Sequence, residues 1–275
     1  MTGQLPASAH CVVFDSGMGG LTVVRELQRL GFTGALSYAA DTGFFPYGDK
    51  SDAELTRRVP RFASAVMRQG APDIFVIACN TASTLALSVV RAVIPIPVVG
   101  TVPAIKPAAA RTKTGVIGVL ATPGTLRRAY TDALVHEFAR DHTVITHGSV
   151  VLVELAEAFA AGEAIDMGAM KAEIDALLSK PQGDKLDTIV LACTHFPLLK
   201  DQIQALVGPD VTLIDSGEAI ARRTLSLLGQ TPKPGNYPAA GGGRLFLSPS
   251  QKTTGRLETV ARSFGFDEVE FLDEI

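Results

Sequence analysis

The 275-residue chain has no tryptophan, three cysteines and no long uninterrupted apolar run. Each shortage removes a class of protein. A helix that crosses a bilayer needs roughly 18 to 20 consecutive apolar residues, and here polar or charged residues break every run sooner, so no membrane span is expected. The opening "MTGQLPASAH" is polar and too short for a secretory signal, which points to a cytoplasmic protein. Cys11, Cys79 and Cys193 cannot close a disulfide framework, and no C-x-x-C pair is present to hold structural zinc. Reduced thiols, free for chemistry, are the expectation. An excess of positive charge is missing too: 25 Lys and Arg stand against 28 Asp and Glu, a net charge of −3, so a nucleic-acid partner is not indicated. The local cluster Arg57, Arg58 and Arg61 reads as a solvated helix face.

What is present is globular. Apolar residues make up 47% and charged residues 19% of a chain long enough for two domains. Short β-branched runs alternate with amphipathic stretches, the pattern of βαβ units and parallel sheets. Strands are expected at residues 10–14, 35–39, 74–78, 98–100, 115–120, 143–147, 188–192 and 212–214. Helices are expected at 21–30, 51–69, 81–93, 126–140, 152–161, 168–178 and 197–206. The Pro- and Gly-rich segment 230–243 reads as a loop, and the residues after it as a strand, a helix and a strand that complete the first sheet.

The chain repeats itself. "DIFVIACNTA" (73–82) and "DTIVLACTHF" (187–196) are both buried strands ending in cysteine, 114 residues apart, and each leads about 20 residues later to another short strand. The openers "VVFDSGMGGL" and "IGVLATPGTL" correspond more loosely. Two α/β halves of similar wiring follow, the second starting near residue 103.

In open α/β sheets ligands bind beyond the carboxyl ends of the strands. Cys79 and Cys193 sit there, each just ahead of an expected helix, whose free N–H groups and partial positive charge favour thiolate. Cys11 lies within a strand and reads as core. Two halves facing one another would put a thiol on each side of a bound ligand, which suits removal of a hydrogen from one face of a carbon and its return to the other. Asp15 and His195 are titratable neighbours that could set thiol protonation. Ser16, Asn80, Thr81, Thr194 and the backbone at Pro46–Gly48 offer uncharged donors for carboxylates, with plain helix capping as their alternative role. A nicotinamide or flavin site at "GMGGLT" is a competing reading, with Asp41 at the distance of a ribose-binding acid. Thr22 in place of the third glycine, and the charge of Asp15, weigh against it. A metal site of Cys79, Cys193 and His195 lacks a fourth ligand.

The chain resembles the cofactor-independent glutamate racemases. "VFDSGMGGLTVVREL", "ADTGFFPYGDKS", "ACNTAST", "PVVGTVPAIKPA", "ATPGTLRRAYT", "ACTHFPLL" and "DSGEAIARR" are similar to that family's motifs, in its order and over nearly the whole length. The resemblance implies two pseudo-symmetric, doubly wound, flavodoxin-like domains with the active site in the cleft between them. One domain would comprise residues 1–102 plus 214–275, and the other, inserted, residues 103–213. The implied reaction converts L-glutamate to D-glutamate for peptidoglycan synthesis without pyridoxal phosphate, metal or nucleotide. Carried over by residue, Cys79 is the base for D-glutamate, assisted by Asp15, and Cys193 the base for L-glutamate, assisted by His195. Substrate contacts would come from Asp15, Ser16, Tyr47, Gly48, Asn80, Thr81, Thr194 and His195, with Thr122 as a further candidate. The family's extra carboxylate near the second cysteine falls within "HGSVVLVELAE", where Glu157 is favoured over Glu154. This version resembles the proteobacterial branch, some of whose members are activated by UDP-MurNAc-alanine, and the family includes monomers and homodimers. An aspartate racemase of the same superfamily, a pyridoxal-phosphate racemase and a DNA gyrase-binding protein stand as rival readings, the last without support in the sequence.

Overall fold

The computed structural model describes residues 9–127, 129–235, 237, 243–250, 254–273 and 275. Their strands are β1 (His10–Asp15), β2 (Ala35–Ala40), β3 (Ile74–Ile77), β4 (Val98–Val99), β5 (Val116–Ala121), β6 (Thr143–Gly148), β7 (Thr188–Ala192), β8 (Thr212–Ile214), β9 (Gly243–Leu247) and β10 (Phe266–Phe271). They form two sheets, ordered β10-β9-β2-β1-β3-β4 and β6-β5-β7-β8, and every pairing is parallel.

The wiring β2-β1-β3-β4 of the first sheet recurs as β6-β5-β7-β8 in the second. The sequence echo is therefore a structural one: β3 and β7, which lead into the two cysteines, hold the same place in their sheets. The strands read as continuous apolar runs because both faces are covered. Along β1, alternation sends Cys11 and Val13 into the core under helices Leu21–Arg29 and Gly217–Leu227, with Leu27 and Ile220. It sends Val12 and Phe14 to the opposite face, against Val59, Phe62 and Val66 of helix Asp52–Gly70. Residues of β5 divide in the same way, Leu120 to one core and Val119 to the other.

The C-terminal strand, helix (Thr254–Arg262) and strand extend the first sheet beyond β2, as expected. Within the expected loop 230–243, residues 236 and 238–242 lie outside the described residues, and Gly243 already belongs to β9. Two helices were not expected from periodicity, Ile105–Arg111 and Gly217–Leu227. The first is a short segment with an internal proline, and the second opens on glycine directly after a strand. The helix expected at 126–140 is preceded by a turn, Pro123–Leu126, capped by Thr122, and resumes as Ala129–Phe138. Among the described residues no helix is long and apolar enough to cross a membrane.

Candidate active site

The strand ends of both sheets converge. Beyond β3 the chain passes Ala78 and enters helix Asn80–Val93 with Cys79 as its N-cap, the sulfur accepting the Ala82 N–H at 3.5 Å. Cys193 directly follows β7, but no α-helix begins beside it; the chain runs through Thr194 and His195 into a 3-10 turn, Phe196–Leu199. The expected helix terminus is thus present at Cys79 and absent at Cys193. Its expected effect on Cys79 is outweighed as well. Burial, with the nearby Asp15 carboxylate, pushes the Cys79 thiol well above its ordinary value, against the smaller opposite pull of the Ala82 and Thr81 N–H groups.

At Cys193 a different partner takes over. His195 Nδ1 lies 3.8 Å from Cys193 Sγ, and Nε2 of the same ring is 2.7 Å from Glu157 Oε1. Burial lowers the tendency of His195 to hold a proton. Its hydrogen bonds to Cys193 and Glu157, and their charges, more than reverse this and hold the imidazole well above its usual value. The ring thus lies buried between a sulfur and a carboxylate, both of which favour its protonated form. Glu157 comes from helix Val151–Ala160 and is buried, whereas Glu154 on the same helix is exposed. The geometry thus joins Glu157 to the site and leaves Glu154 out.

Asp15, at the end of β1, is fully buried. Its Oδ2 accepts from Thr194 Oγ1 at 2.8 Å and its Oδ1 from the Gly17 N–H at 3.1 Å. Burial raises its carboxyl, offset in part by His195 and by those two donors. The glycine-rich turn after Asp15 serves domain contact. A Cβ on Gly17 would lie 2.5 Å from Glu157 Oε1, and one on Gly19 would lie 2.5 Å from Thr194 Oγ1. The Met18 N–H donates to Glu157 at 2.7 Å, so the backbone group that a pyrophosphate would use is taken by a helix side chain of the other half.

A cavity of about 20 Å³ lies at this junction, lined by Cys79 and Cys193, and by Ser16, Asn80, Thr194 and His195 among others. Tyr47, Gly48, Thr81 and Thr122 also line it. Such a volume holds about one water molecule, so the two halves are closed on one another. Asn80 Oδ1 is buried without a hydrogen-bond partner, an acceptor suited to a ligand's ammonium group. Tyr47 presents its ring and backbone, because its hydroxyl is bonded to Asp41 at 2.7 Å. Thr81 and Thr122 meet Thr125 in a triangle of hydroxyls with sides of 3.0, 3.1 and 3.1 Å.

Sequence reasoning missed Thr125, and also Phe45, Val150 and Val153, which close the cavity with apolar surface. For Thr125 there was a signal: it stands three residues after the helix cap Thr122, whose hydroxyl accepts its N–H. The apolar wall has no local signature, since its members are ordinary core residues until the two sheets meet. Among the described residues no group of three or more His, Cys, Asp or Glu could hold a metal ion.

Two parallel α/β sheets of like wiring that each deliver a cysteine to one enclosed cavity define an enzyme of the domain-cleft type. The family is given by comparison. The model of the Asp/Glu/hydantoin racemase family matches residues 23–224, and the chain belongs to that family. It is 51% identical over 219 residues to the glutamate racemase of Sphingopyxis alaskensis, covering 80% of this chain and 82% of that one. It is 41% identical over 262 residues to that of Vibrio vulnificus, covering 95% and 96%. The solved structure of Escherichia coli glutamate racemase in complex with L-glutamate and the activator UDP-MurNAc-Ala superposes with a TM-score of 0.88 at 39% identity, over 98% of this chain and 99% of that one. Within the family the chain is an enzyme of the glutamate racemase type.

Proposed function

We propose that the protein interconverts L- and D-glutamate by proton transfer at Cα between two opposed cysteines, supplying D-glutamate for peptidoglycan. One observation carries this reading: Cys79 and Cys193, from equivalent strands of two like sheets, line the same cavity. The thiolate on one side takes the Cα hydrogen as a proton, forming S–H as C–H breaks. The thiol on the other side gives its proton to the opposite face, and the stereocentre is inverted. No electron acceptor is needed, because the electron pair stays on carbon.

The barrier is the weak acidity of that C–H. The residues that line the cavity act on it by accepting the ammonium group, donating to the carboxylate as charge builds there, and excluding water. Asn80 Oδ1 suits the first task, and the Thr81, Thr122 and Thr194 hydroxyls the second. His195, as an imidazolium beside Cys193, supplies the counter-charge that a thiolate needs. At Cys79, burial and Asp15 favour the thiol. The resting enzyme in this reading carries a proton on Cys79. The small cavity requires the cleft to open before glutamate enters. The sheets favour a division close to 1–102 with 214–275 and 103–213, except that Ile214, the last residue of β8, pairs with Val190 in the second sheet.

For the UDP-MurNAc-alanine effector, the fitting place is a separate cavity of about 500 Å³ beside the two crossings between the sheets. Lys106 and Arg223 line it and could pair with a diphosphate. Rates measured with and without that compound test this part.

The deciding experiment is L-glutamate in deuterated water, followed by NMR and chiral analysis. The expected result is early deuterium at Cα of D-glutamate, with L-aspartate turned over far more slowly. D-glutamate formed without deuterium, or aspartate preferred, overturns the reading.

A further inference from the structure

Asp41 and Arg58 each had another role in prospect, the first as a ribose-binding acid and the second as part of a solvated helix face. The structure joins them. Arg58, on helix Asp52–Gly70, turns inward and grips the fully buried Asp41 with Nε at 2.8 Å and Nη2 at 2.7 Å. Two more donors fill the carboxylate: Tyr47 Oη at 2.7 Å and Ser248 Oγ, just past β9, at 2.6 Å. Ser248 also accepts the Gly43 N–H at 2.8 Å, and its carbonyl accepts from Thr42 Oγ1 at 2.6 Å. Every one of these bonds ends on or beside residues 41–47, the segment that follows β2 and reaches over to the second half before helix Asp52–Gly70 begins.

That segment roofs the cavity. The Phe45 ring lies 5.8 Å from the ring of His195, and a Cβ on Gly48 would fall 2.8 Å from Thr122 Cβ. The Tyr47 hydroxyl is held by Asp41, which leaves the backbone of Tyr47 and Gly48 to meet a ligand. Backbone donors work only where the chain is fixed. We infer that Asp41, acting through Arg58 and Tyr47, is a positioning residue that holds this roof in register with the first domain as the cleft opens and closes. A purely structural ion pair would lower stability when broken and leave the substrate affinity of the folded fraction unchanged.

This rests on the glutamate racemase reading for its kinetic readout, so an independent readout accompanies it. In the full-length protein, Arg58→Gln is expected to raise KM for both enantiomers roughly tenfold, the weight of one charge-assisted hydrogen bond, with kcat within about twofold of wild type. Arg58→Lys keeps the charge without the fork and should fall between the two. Ser248→Ala, which removes one neutral donor far from the cavity, should raise KM about threefold and serves if Arg58→Gln does not fold. Amide exchange across residues 42–48 should quicken in Ser248→Ala, whether or not the protein acts on glutamate. Unchanged KM in the soluble variants, or unchanged protection of 42–48, overturns the proposal. A wild-type protein inert toward glutamate would overturn the functional reading while the exchange measurement still judged the roof.

Discussion

Thr194 Oγ1 donates a 2.8 Å hydrogen bond to Asp15 Oδ2, so the carboxylate at the end of β1 is held by a residue of the other sheet. The arrangement is reciprocal. Glu157, from the second half, is held by the Met18 N–H of the first at 2.7 Å. Each half thus completes the ionisable equipment of its partner, and a parting of the halves would take a donor from each carboxylate. Water reaching them in the open state would take over those bonds. Closure therefore changes the electrostatics of the two thiols together with their access to solvent.

If each thiol handles one face of the substrate, neither can stand in for the other. Cys79→Ser and Cys193→Ser should each reduce racemisation by a factor of at least about 10³, within the range of a lost general acid or base. Each should leave deuterium wash-in to one enantiomer only, from the face of the surviving cysteine. Proton NMR of separate L- and D-glutamate samples in deuterated water reads both effects. Full activity in either variant would refute the two-base scheme.

The upward pull on His195 comes in part from Glu157. In Glu157→Gln the shape is kept and a charge is lost, along with one of the causes that raise His195. The pH at which His195 loses its proton should then move down. The rate in the direction that uses Cys193 as base should fall off at lower pH than in wild type, with the other direction less affected. Paired profiles of kcat/KM against pH check this. Glu154→Gln, at an exposed position, is the control and should leave both profiles unchanged.

Much of this was legible in the chain, and particular residues show why the rest was not. The repeat around Cys79 and Cys193 was readable because parallel strands buried on both faces are continuous apolar runs. The strand expected at 188–192 matches β7 residue for residue. Whether a helix begins beside a cysteine was less readable. "CTHFPLL" has the polar start and early proline of a helix entrance, yet the turn after His195 is 3-10 and the α-helix begins at Lys200. Arg58 was misread for a related reason. Composition marks it as surface, but its side chain is only 22% exposed because Asp41 lies beneath it. Ion pairs between distant segments leave no periodicity to detect.

The hydroxyl triangle separates a binding role from a packing role. Thr122 lines the cavity and Thr125 does not. Thr125→Val removes one corner, leaves Thr81 and Thr122 bonded to each other, and should cost about 1 kcal/mol of stability with kcat/KM little changed. Thr122→Val should cost a similar amount and also lower kcat/KM about tenfold, by loss of one donor to the substrate. Denaturant unfolding and initial rates distinguish them; equal kinetic losses would show that the triangle acts as one unit.

Stability should decline toward alkaline pH, and its cause can be isolated. Asp15, His195, Cys79 and Cys11 are all raised above their ordinary values of 3.8, 6.5, 9.0 and 9.0. A group raised in this way contributes stability that is fully present below its unfolded value and is lost as pH rises through its folded one. For Asp15 and His195 the loss begins in the acid and neutral range. For the two thiols it begins near pH 9, where the unfolded chain ionises while the buried thiol keeps its proton. Each thiol should then subtract about 1.4 kcal/mol per pH unit until its folded value is reached. Cys11→Ala, far from the cavity, should flatten the fall of unfolding free energy between pH 9 and 10 by about that slope, on top of a fixed packing loss. Cys79→Ala should do the same. Denaturant titrations at pH 7, 9 and 10 measure it, and a slope unchanged by either substitution would mean that the thiols ionise in the folded protein as readily as in water.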